Sequence, residues 1–464
     1  MKIIVLNGSP KGTLSVTMQY LLYIKKKFPQ HKLKILHVAQ QIKKLEENHE
    51  KFQEIIKEIK SADGIVWGFP LYYMLVPSQY KRFIELIWER NAENTFKGKY
   101  TALVATSINF FDHMAINYMN AICDDLQMKC IGFFSAEMFD LMIRKQREQL
   151  ILFAENFFYS IENNLPPLRQ YPKLKYRDFD YTPSLIEDDK KKVNPEEKRI
   201  LLITDSIDTQ TNLGKMIEKF QDCFSEEIEI INLYDIDIKG GCLGCCQCGY
   251  DNQCIYKEKD GFTEFWNAKL IPADILIFAG NVTDRYLSSR WKMFFDRSFF
   301  NGHIPTLIRK QFAYILSGPL AQISNLKQFI QAYTESQESN LVNIVTDEFG
   351  DSREIDVLIL DLAKNLIRFA KVNYIKPQTF LSKGGFKILR DAVFGRMRFI
   401  FQADHRFYEE HGYYDFPQDD ERAIKMNDIF IPLTKNEKSR KQFYSMIKSQ
   451  MVKPLQGVVA NPNK

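Results

Sequence analysis

No run of apolar residues in this 464-residue chain approaches the ~18 that a membrane span requires. The amino terminus enters a strand-like pattern at once, with no signal-peptide pattern before it. Both features point to a cytoplasmic chain with no membrane partner. Nor does one sign of charge prevail: 63 basic residues against 58 acidic leave a formal +5. Lys and Arg are spread along the length instead of gathered in blocks, which speaks against a nucleic-acid partner. The Walker loop and the Rossmann glycine triplet are also missing. What is present is ample apolar content, 45%, enough for two or three cores at about 150 residues per domain. Of eight cysteines, five fall between Cys242 and Cys254. In a reducing compartment such a cluster indicates metal or redox chemistry in place of disulfides.

Residues 1–163 alternate short β-branched runs (Ile3 to Leu6, Leu33 to Val38, Ile65 to Trp67, Leu103-Val104, Cys130 to Phe134) with amphipathic stretches. Five strands separated by helices read as an α/β, doubly wound parallel sheet. Residues 164–197 break the pattern with Pro166, Pro167, Pro172, Pro183, Pro195 and the charged run Glu187 to Lys192, and read as a linker. The alternation restarts at Ile200 and repeats the first half. An offset of 197 carries Ile3 onto Ile200 and Ser9 onto Ser206. An offset of 211 carries Ala62-Asp63 onto Ala273-Asp274, Ser78 onto Ser289, Lys81 onto Lys292, Glu85 onto Asp296 and Thr106 onto Ser317. The growth from 197 to 211 marks 14 inserted residues, and the cysteine cluster occupies them. The second copy spans 198–380, and 381–464 form an extension outside the repeat.

Three loops at the carboxyl edge of the first sheet carry the chemistry, because ligands bind there in doubly wound folds. The first, Asn7-Gly8-Ser9-Pro10-Lys11-Gly12-Thr13-Leu14-Ser15-Val16-Thr17, ends a strand and opens a helix with hydroxyls, a base and backbone N–H groups. That suits a phosphate, the plainer alternative being an ordinary capped turn. The second, Phe69 to Ser78, offers Pro70, Leu71, Tyr72 and Tyr73 to a flat ring, or else simply packs on the next helix. The third runs from Thr106 to His113.

These motifs, Gly-Ser-Pro-Lys with Ser-x-Thr and Pro-Leu-Tyr followed by Pro-Ser-Gln-x-Lys-x-Phe-Ile-Glu, resemble the flavodoxin-like NAD(P)H-dependent FMN reductases over residues 1–160. The resemblance implies an FMN phosphate on Ser9, Lys11, Ser15, Val16 and Thr17. It implies an isoalloxazine against Pro70, Leu71, Tyr72 and Tyr73 and against Thr106, Ser107, Asn109, Phe110 and His113. The family often has Arg where Lys11 stands, and a Gly-rich third loop where this chain has Asn109-Phe110-Phe111.

Cys242, Cys245, Cys248 and Cys254 have a C-x2-C-x2-C-x5-C spacing among Gly240, Gly241, Gly244 and Gly249. An iron–sulfur cluster, a zinc ion and redox-active thiols are the readings this spacing allows, with the cluster favoured. Cys246 reads as a bystander, and Cys123, Cys130 and Cys223 as small buried hydrophobes. The second half resembles the iron–sulfur flavoproteins, which implies a [4Fe-4S] cluster on Cys242, Cys245, Cys248 and Cys254. Its own phosphate loop, Thr204 to Asn212, lacks the Gly and the base and gains Asp205 and Asp208, carboxylates that repel a phosphate. A second FMN would then depend on Arg285 for its positive charge. Asp404-His405 is a proton-relay candidate whose plainer reading is surface chemistry.

The expectation is therefore two tandem flavodoxin-like five-stranded domains, the second bearing the cysteine insert. The expected activity is that of an NAD(P)H-dependent flavin oxidoreductase passing electrons between FMN and a [4Fe-4S] cluster to a small acceptor or a redox partner protein. The alternative is an electron-transfer flavoprotein reduced by a ferredoxin-like partner. A homodimer is possible, or else a pseudo-dimer within the chain, the cluster of one half facing the flavin of the other.

Overall fold

A computed structural model describes residues 1–206, 208–415, 421–433, 435–442 and 445–446. The first half runs β1 (Lys2–Asn7), α1 (Val16–Lys27), β2 (Lys32–Leu36), α2 (Ile42–Glu47), α3 (His49–Lys60), β3 (Gly64–Pro70), α4 (Ser78–Glu89), β4 (Tyr100–Ser107), α5 (Asp112–Asp125), β5 (Lys129–Glu137) and α6 (Arg144–Glu162). The second runs β6 (Ile200–Thr204), α7 (Asn212–Asp222), β7 (Glu229–Asn232), α8 (Phe262–Phe265), β8 (Ile275–Asn281), α9 (Ser289–Arg297), β9 (Gln311–Ser317), α10 (Ser324–Ser336), β10 (Asn340–Thr346) and α11 (Ser352–Lys371). Then come α12 (Phe380–Phe394), α13 (Gln402–Glu410) and α14 (Glu421–Leu433). The chain divides into two compact units, Met1–Phe407 and Tyr408–Lys464. The first contains both sheets, and the second contains α14.

The strands form two five-stranded parallel sheets, ordered β2-β1-β3-β4-β5 and β7-β6-β8-β9-β10. This is the doubly wound flavodoxin-like arrangement, with the switch of direction between the first and third strand of each sheet. Helices cover both faces, so β1, β3 and β6 are almost wholly buried and read as continuous apolar runs. The Ala-Asp match of the repeat has a structural reason. Asp63 Oδ2 accepts the Lys2 backbone N–H at 2.7 Å, and Asp274 Oδ2 accepts that of Arg199 at 2.9 Å. Each aspartate ties down the start of its sheet's first strand.

The outer face of the first sheet packs under α1 and α6, with Val5, Met18, Leu21 and Phe157 in its core. The outer face of the second packs under α7 and α11. The inner faces belong to one continuous core that joins the halves, with Trp67, Tyr80, Phe83 and Tyr118 from one and Phe278, Trp291, Phe294 and Phe329 from the other.

The two halves meet through α4 and α5 on one side and α9 and α10 on the other, and the contacts are reciprocal. Glu85 accepts the Ser289 N–H at 2.6 Å, while its counterpart Asp296 accepts the Ser78 N–H at 2.7 Å. Lys81 lies 3.0 Å from Glu85 and 2.9 Å from Asp284. Its counterpart Lys292 pairs with Asp296 and donates to the Tyr72 carbonyl at 2.9 Å. Residues matched by the 211 offset therefore face one another across a pseudo-two-fold axis, as in an isologous dimer.

Residues 164–197 are not a loose tether. Tyr181 is fully buried in the second core, and its hydroxyl and that of Ser184 both donate to Asp356. Arg177 stacks 3.9 Å from the Phe179 ring. These contacts reach about 170 positions along the chain, beyond any local pattern.

Candidate functional site

The first loop leaves β1 with Gly8 beneath the Tyr80 ring, whose hydroxyl donates to the Leu6 carbonyl at 2.8 Å. A β-carbon at Gly8 would overlap that ring. Residues Gly12–Leu14 form one 3-10 turn and Ser15 caps α1, which starts at Val16. Ser15 has the extended backbone of an N-cap, yet its side chain accepts nothing from the helix. Its Oγ is buried without a partner. An N-cap serine normally satisfies one of the first-turn N–H groups, and here both the hydroxyl and the helix end are left for something else. Lys11 stands beside them on the same cavity and makes no ion pair with a carboxylate among the described residues. A phosphate fits these donors.

The ring loop makes a tight turn. Tyr72 and Leu75 exchange backbone hydrogen bonds of 2.8 and 3.0 Å, and the two residues between them, Tyr73 and Met74, are both left-handed at φ 43° and 64°. Such strain in non-glycine residues persists only where surroundings enforce it. The second half does so: Lys292 holds the Tyr72 carbonyl, and the Tyr73 ring lies 5.9 Å from Tyr333. The third loop is fastened to the first by Thr17 Oγ1 and Thr106 Oγ1, 2.6 Å apart. Its Phe110 and Phe111 meet edge to face at 4.8 Å.

Lys11, Ser15, Val16, Pro70, Leu71, Tyr72, Tyr73, Thr106, Ser107 and Phe110 all line one cavity of about 270 Å³. Ser9, Thr17, Asn109 and His113 do not. Ser9 is buried and shapes the loop by accepting the Lys11 N–H at 3.3 Å, and Thr17 is committed to Thr106. Asn109 and His113 are exposed.

Sequence patterns missed the opposite wall, which comes from the second half and the extension: Asp296, Phe299, His303, Gln337, Phe386 and Phe401. Asp296 had a signal as the repeat partner of Glu85; His303 had none. Asp404 is fully buried and bonds to His303, Nδ1 to Oδ2 at 2.5 Å. The sequence offered Asp404-His405 as a proton-relay candidate with surface chemistry as the plainer reading; Asp404 is not at the surface, and its imidazole partner is His303.

The cysteine loop docks on the ring loop. Gln79 donates to the Cys242 carbonyl at 3.0 Å. Gly241 and Gly244 leave room for Ser78 and for Tyr72, whose Oη a β-carbon at Gly244 would overlap. Arg297, buried, forks onto Asp260 at 2.7 and 3.0 Å and donates to the Gly240 carbonyl at 3.0 Å, so it holds both ends of the loop. Cys242 and Cys246 reach the cavity, Cys248 is buried, and Cys245 is exposed. Burial first, then Asp296, Cys245 and Cys254, push the Cys242 thiol up to about 12 against the Gly244 N–H. Cys248 is raised likewise, by burial and then by Cys242, Cys254, Cys245 and Cys246. Cys248 thus lies within the field of the other four thiols. Among the described residues no three His, Cys, Asp or Glu side chains are grouped as a single metal ion requires.

The corresponding edge of the second sheet is closed by protein groups. Thr211 caps α7, accepting the Gly214 N–H at 3.2 Å, and the Thr209 backbone lies against Gly214. Asp347 takes the Gly318 N–H at 2.8 Å, the Ser317 hydroxyl at 2.7 Å and the Asn212 amide at 2.9 Å. Asp205, pushed up to about 6 by burial against the Ser288 hydrogen bond, adds a second carboxyl. Arg285, the cation on which a second FMN would depend, is buried in a fork to Asp125 at 2.8 and 2.7 Å. The donors left open in the first half are answered internally in the second.

Residues 1–132 match the family described as NADPH-dependent FMN reductase, so the first half contains the domain of an oxidoreductase. No curated protein matches the chain. Similar solved structures include an NADH:FMN oxidoreductase in its apo form, at 17% identity and TM-score 0.30, over 34% of this chain and 89% of that one. An FMN-dependent NADH-azoreductase from Bacillus anthracis in complex with FMN is 13% identical, TM-score 0.26, over 35% of this chain and 99% of that one. The flavoenzyme NAD(P)H:(acceptor) oxidoreductase from Paracoccus denitrificans is 18% identical, TM-score 0.27, over 35% and 97%. No helix among the described residues is long and apolar enough to cross a membrane.

Proposed function

We propose that the protein is a flavin-dependent NAD(P)H oxidoreductase that binds one FMN at the carboxyl edge of the first sheet and a [4Fe-4S] cluster on Cys242, Cys245, Cys248 and Cys254. The observation that carries the flavin reading is the unanswered cap of α1, a buried Ser15 hydroxyl with no partner beside an open helix end and Lys11. Ser15, Lys11 and the Val16 N–H would hold the phosphate, with Ser9 and Thr17 shaping the loop. Pro70, Leu71, Tyr72 and Tyr73 would lie on one side of the ring, with Thr106, Ser107 and Phe110 closing the edge. Bound FMN supplies a ring that accepts a hydride and can release electrons singly. The chain itself binds and orients, and its apolar walls exclude water.

The cluster reading is supported by the C-x2-C-x2-C-x5-C spacing of four cysteines in one loop and by the docking of that loop on Tyr72 and Gln79. Cys242, Cys245, Cys248 and Cys254 would hold the cluster, which would supply a one-electron relay. The electron acceptor would be a small molecule or a redox partner protein.

Purification without oxygen tests both parts. Bound FMN should bleach on adding NADPH or NADH, and Cys245→Ala should lose iron and sulfide while keeping FMN. Full iron content in that variant contradicts the cluster, and flavin that neither nucleotide bleaches contradicts the NAD(P)H assignment.

A further inference from the structure

The cavity wall opposite the flavin-holding loops carries a histidine that those loops do not need. His303 lies in the turn that follows α9, and its Nδ1 stands 2.5 Å from Asp404 Oδ2 while its backbone N–H donates to the same oxygen at 3.2 Å. Asp404 comes from α13, 101 positions along the chain, and is fully buried. Gly302, at φ +62°, makes room for it, because a β-carbon there would overlap Asp404 Oδ1. Phe299 and Phe401 hold the imidazole edge to face, with centroids at 5.0 and 4.9 Å. A carboxylate on Nδ1 fixes the tautomer, so the transferable proton belongs to Nε2.

The other ionisable groups on this cavity are poorly placed to give a proton near neutrality. Burial raises Tyr73 above its ordinary value, and the Tyr72 hydroxyl is wedged against Gly244 of the cysteine loop. Asp296 is bound to Lys292 and the Ser78 N–H, and Lys11 stands at the phosphate loop. Imidazole is the side chain that both gives and takes a proton in this range.

We propose that His303, positioned by Asp404, is the proton donor to an acceptor that takes up a proton together with an electron pair in this cavity. The inference rests on the flavin reading above. With a carbonyl-type acceptor, the C=O π bond opens as the acceptor gains the hydride carried by reduced flavin. The oxygen's new O–H bond takes its proton from imidazolium Nε2, leaving neutral His303, and solvent water returns the proton. Asp404 holds the ring through Nδ1 and is a positioning residue, not a catalytic one.

The test compares two acceptors on the flavin-loaded full chain after anaerobic reduction by NADPH. p-Benzoquinone takes up protons with its electrons, whereas ferricyanide takes an electron and no proton. His303→Gln should slow reoxidation by benzoquinone about 100-fold or more, the range of a general acid, and ferricyanide reduction far less. Asp404→Asn should follow with a smaller loss of the same selectivity. His303→Asn repeats the measurement should the buried Asp404 variant misfold. The solvent deuterium isotope effect on the benzoquinone step should change in His303→Gln, and fluorescence titration of the apoprotein should give parent-like FMN affinity. Equal slowing with both acceptors, or with neither, overturns the proposal and leaves the flavin reading standing. A parent protein that binds no FMN overturns both.

Discussion

Replacing Ser15 by alanine should move two quantities in opposite directions. In the apoprotein its hydroxyl is buried and unpartnered, a condition that costs about 1–3 kcal/mol. Ser15→Ala removes the orphaned group, so the apoprotein should unfold at equal or higher urea concentration, with a gain of up to about 1–3 kcal/mol. The same change removes a hydrogen bond to a charged phosphate, worth about 1.5–3 kcal/mol, and FMN affinity should fall about 10- to 150-fold. Thr211→Ala in the second half is the matched control. Its cap is made, so it should lose roughly 1 kcal/mol of stability with FMN affinity unaltered. Urea unfolding of the apoproteins and quenching of FMN fluorescence measure both. A Ser15→Ala protein that loses stability as an ordinary cap does and binds FMN like the parent would refute the phosphate-site reasoning.

Lys81→Met leaves Asp284 buried without its cation and Glu85 with Arg82 alone and should cost about 3–5 kcal/mol in chemical denaturation; a loss near zero would mean the halves do not depend on this clasp. Asp205→Asn should stabilise the protein in a pH-dependent way. A carboxyl raised from 3.8 to about 6 in the folded state contributes stability in acid and loses it as pH climbs through that value. The two proteins should therefore be alike near pH 4 and diverge to a plateau of roughly 3 kcal/mol above pH 6, and a gap that widens towards acid would contradict the burial of Asp205. Gly244→Ala places a β-carbon on Tyr72 Oη at a left-handed backbone position, so iron retention and FMN affinity should fall together. An alanine variant keeping both would show that the cysteine loop does not rest on the ring loop.

Much of the architecture was legible because parallel strands buried on both faces write continuous β-branched runs, and two copies write them twice. The offset of 211 went further than a fold assignment: Ser78 with Ser289, Lys81 with Lys292 and Glu85 with Asp296 are the residues that clasp the halves. The repeat raised a pseudo-dimer within the chain as one possibility, but which residues clasp across it emerged only in three dimensions. Arg285 was misjudged for a related reason. Its position suggested an anion site, and its partner Asp125 lies 160 residues away in the other half. His303 and Asp404 belong to no repeat or period, and only packing brings them together.

Flavin stoichiometry tests the central claim most directly, that one sheet edge was kept open for FMN and its copy was closed. FMN released by acid from protein purified without oxygen should amount to one per chain. A Lys11→Ala, Ser15→Ala protein should release close to none, and an Asp205→Asn, Arg285→Ala protein should release as much as the parent. Two flavins per chain, or full occupancy after the first pair of substitutions, would contradict the account.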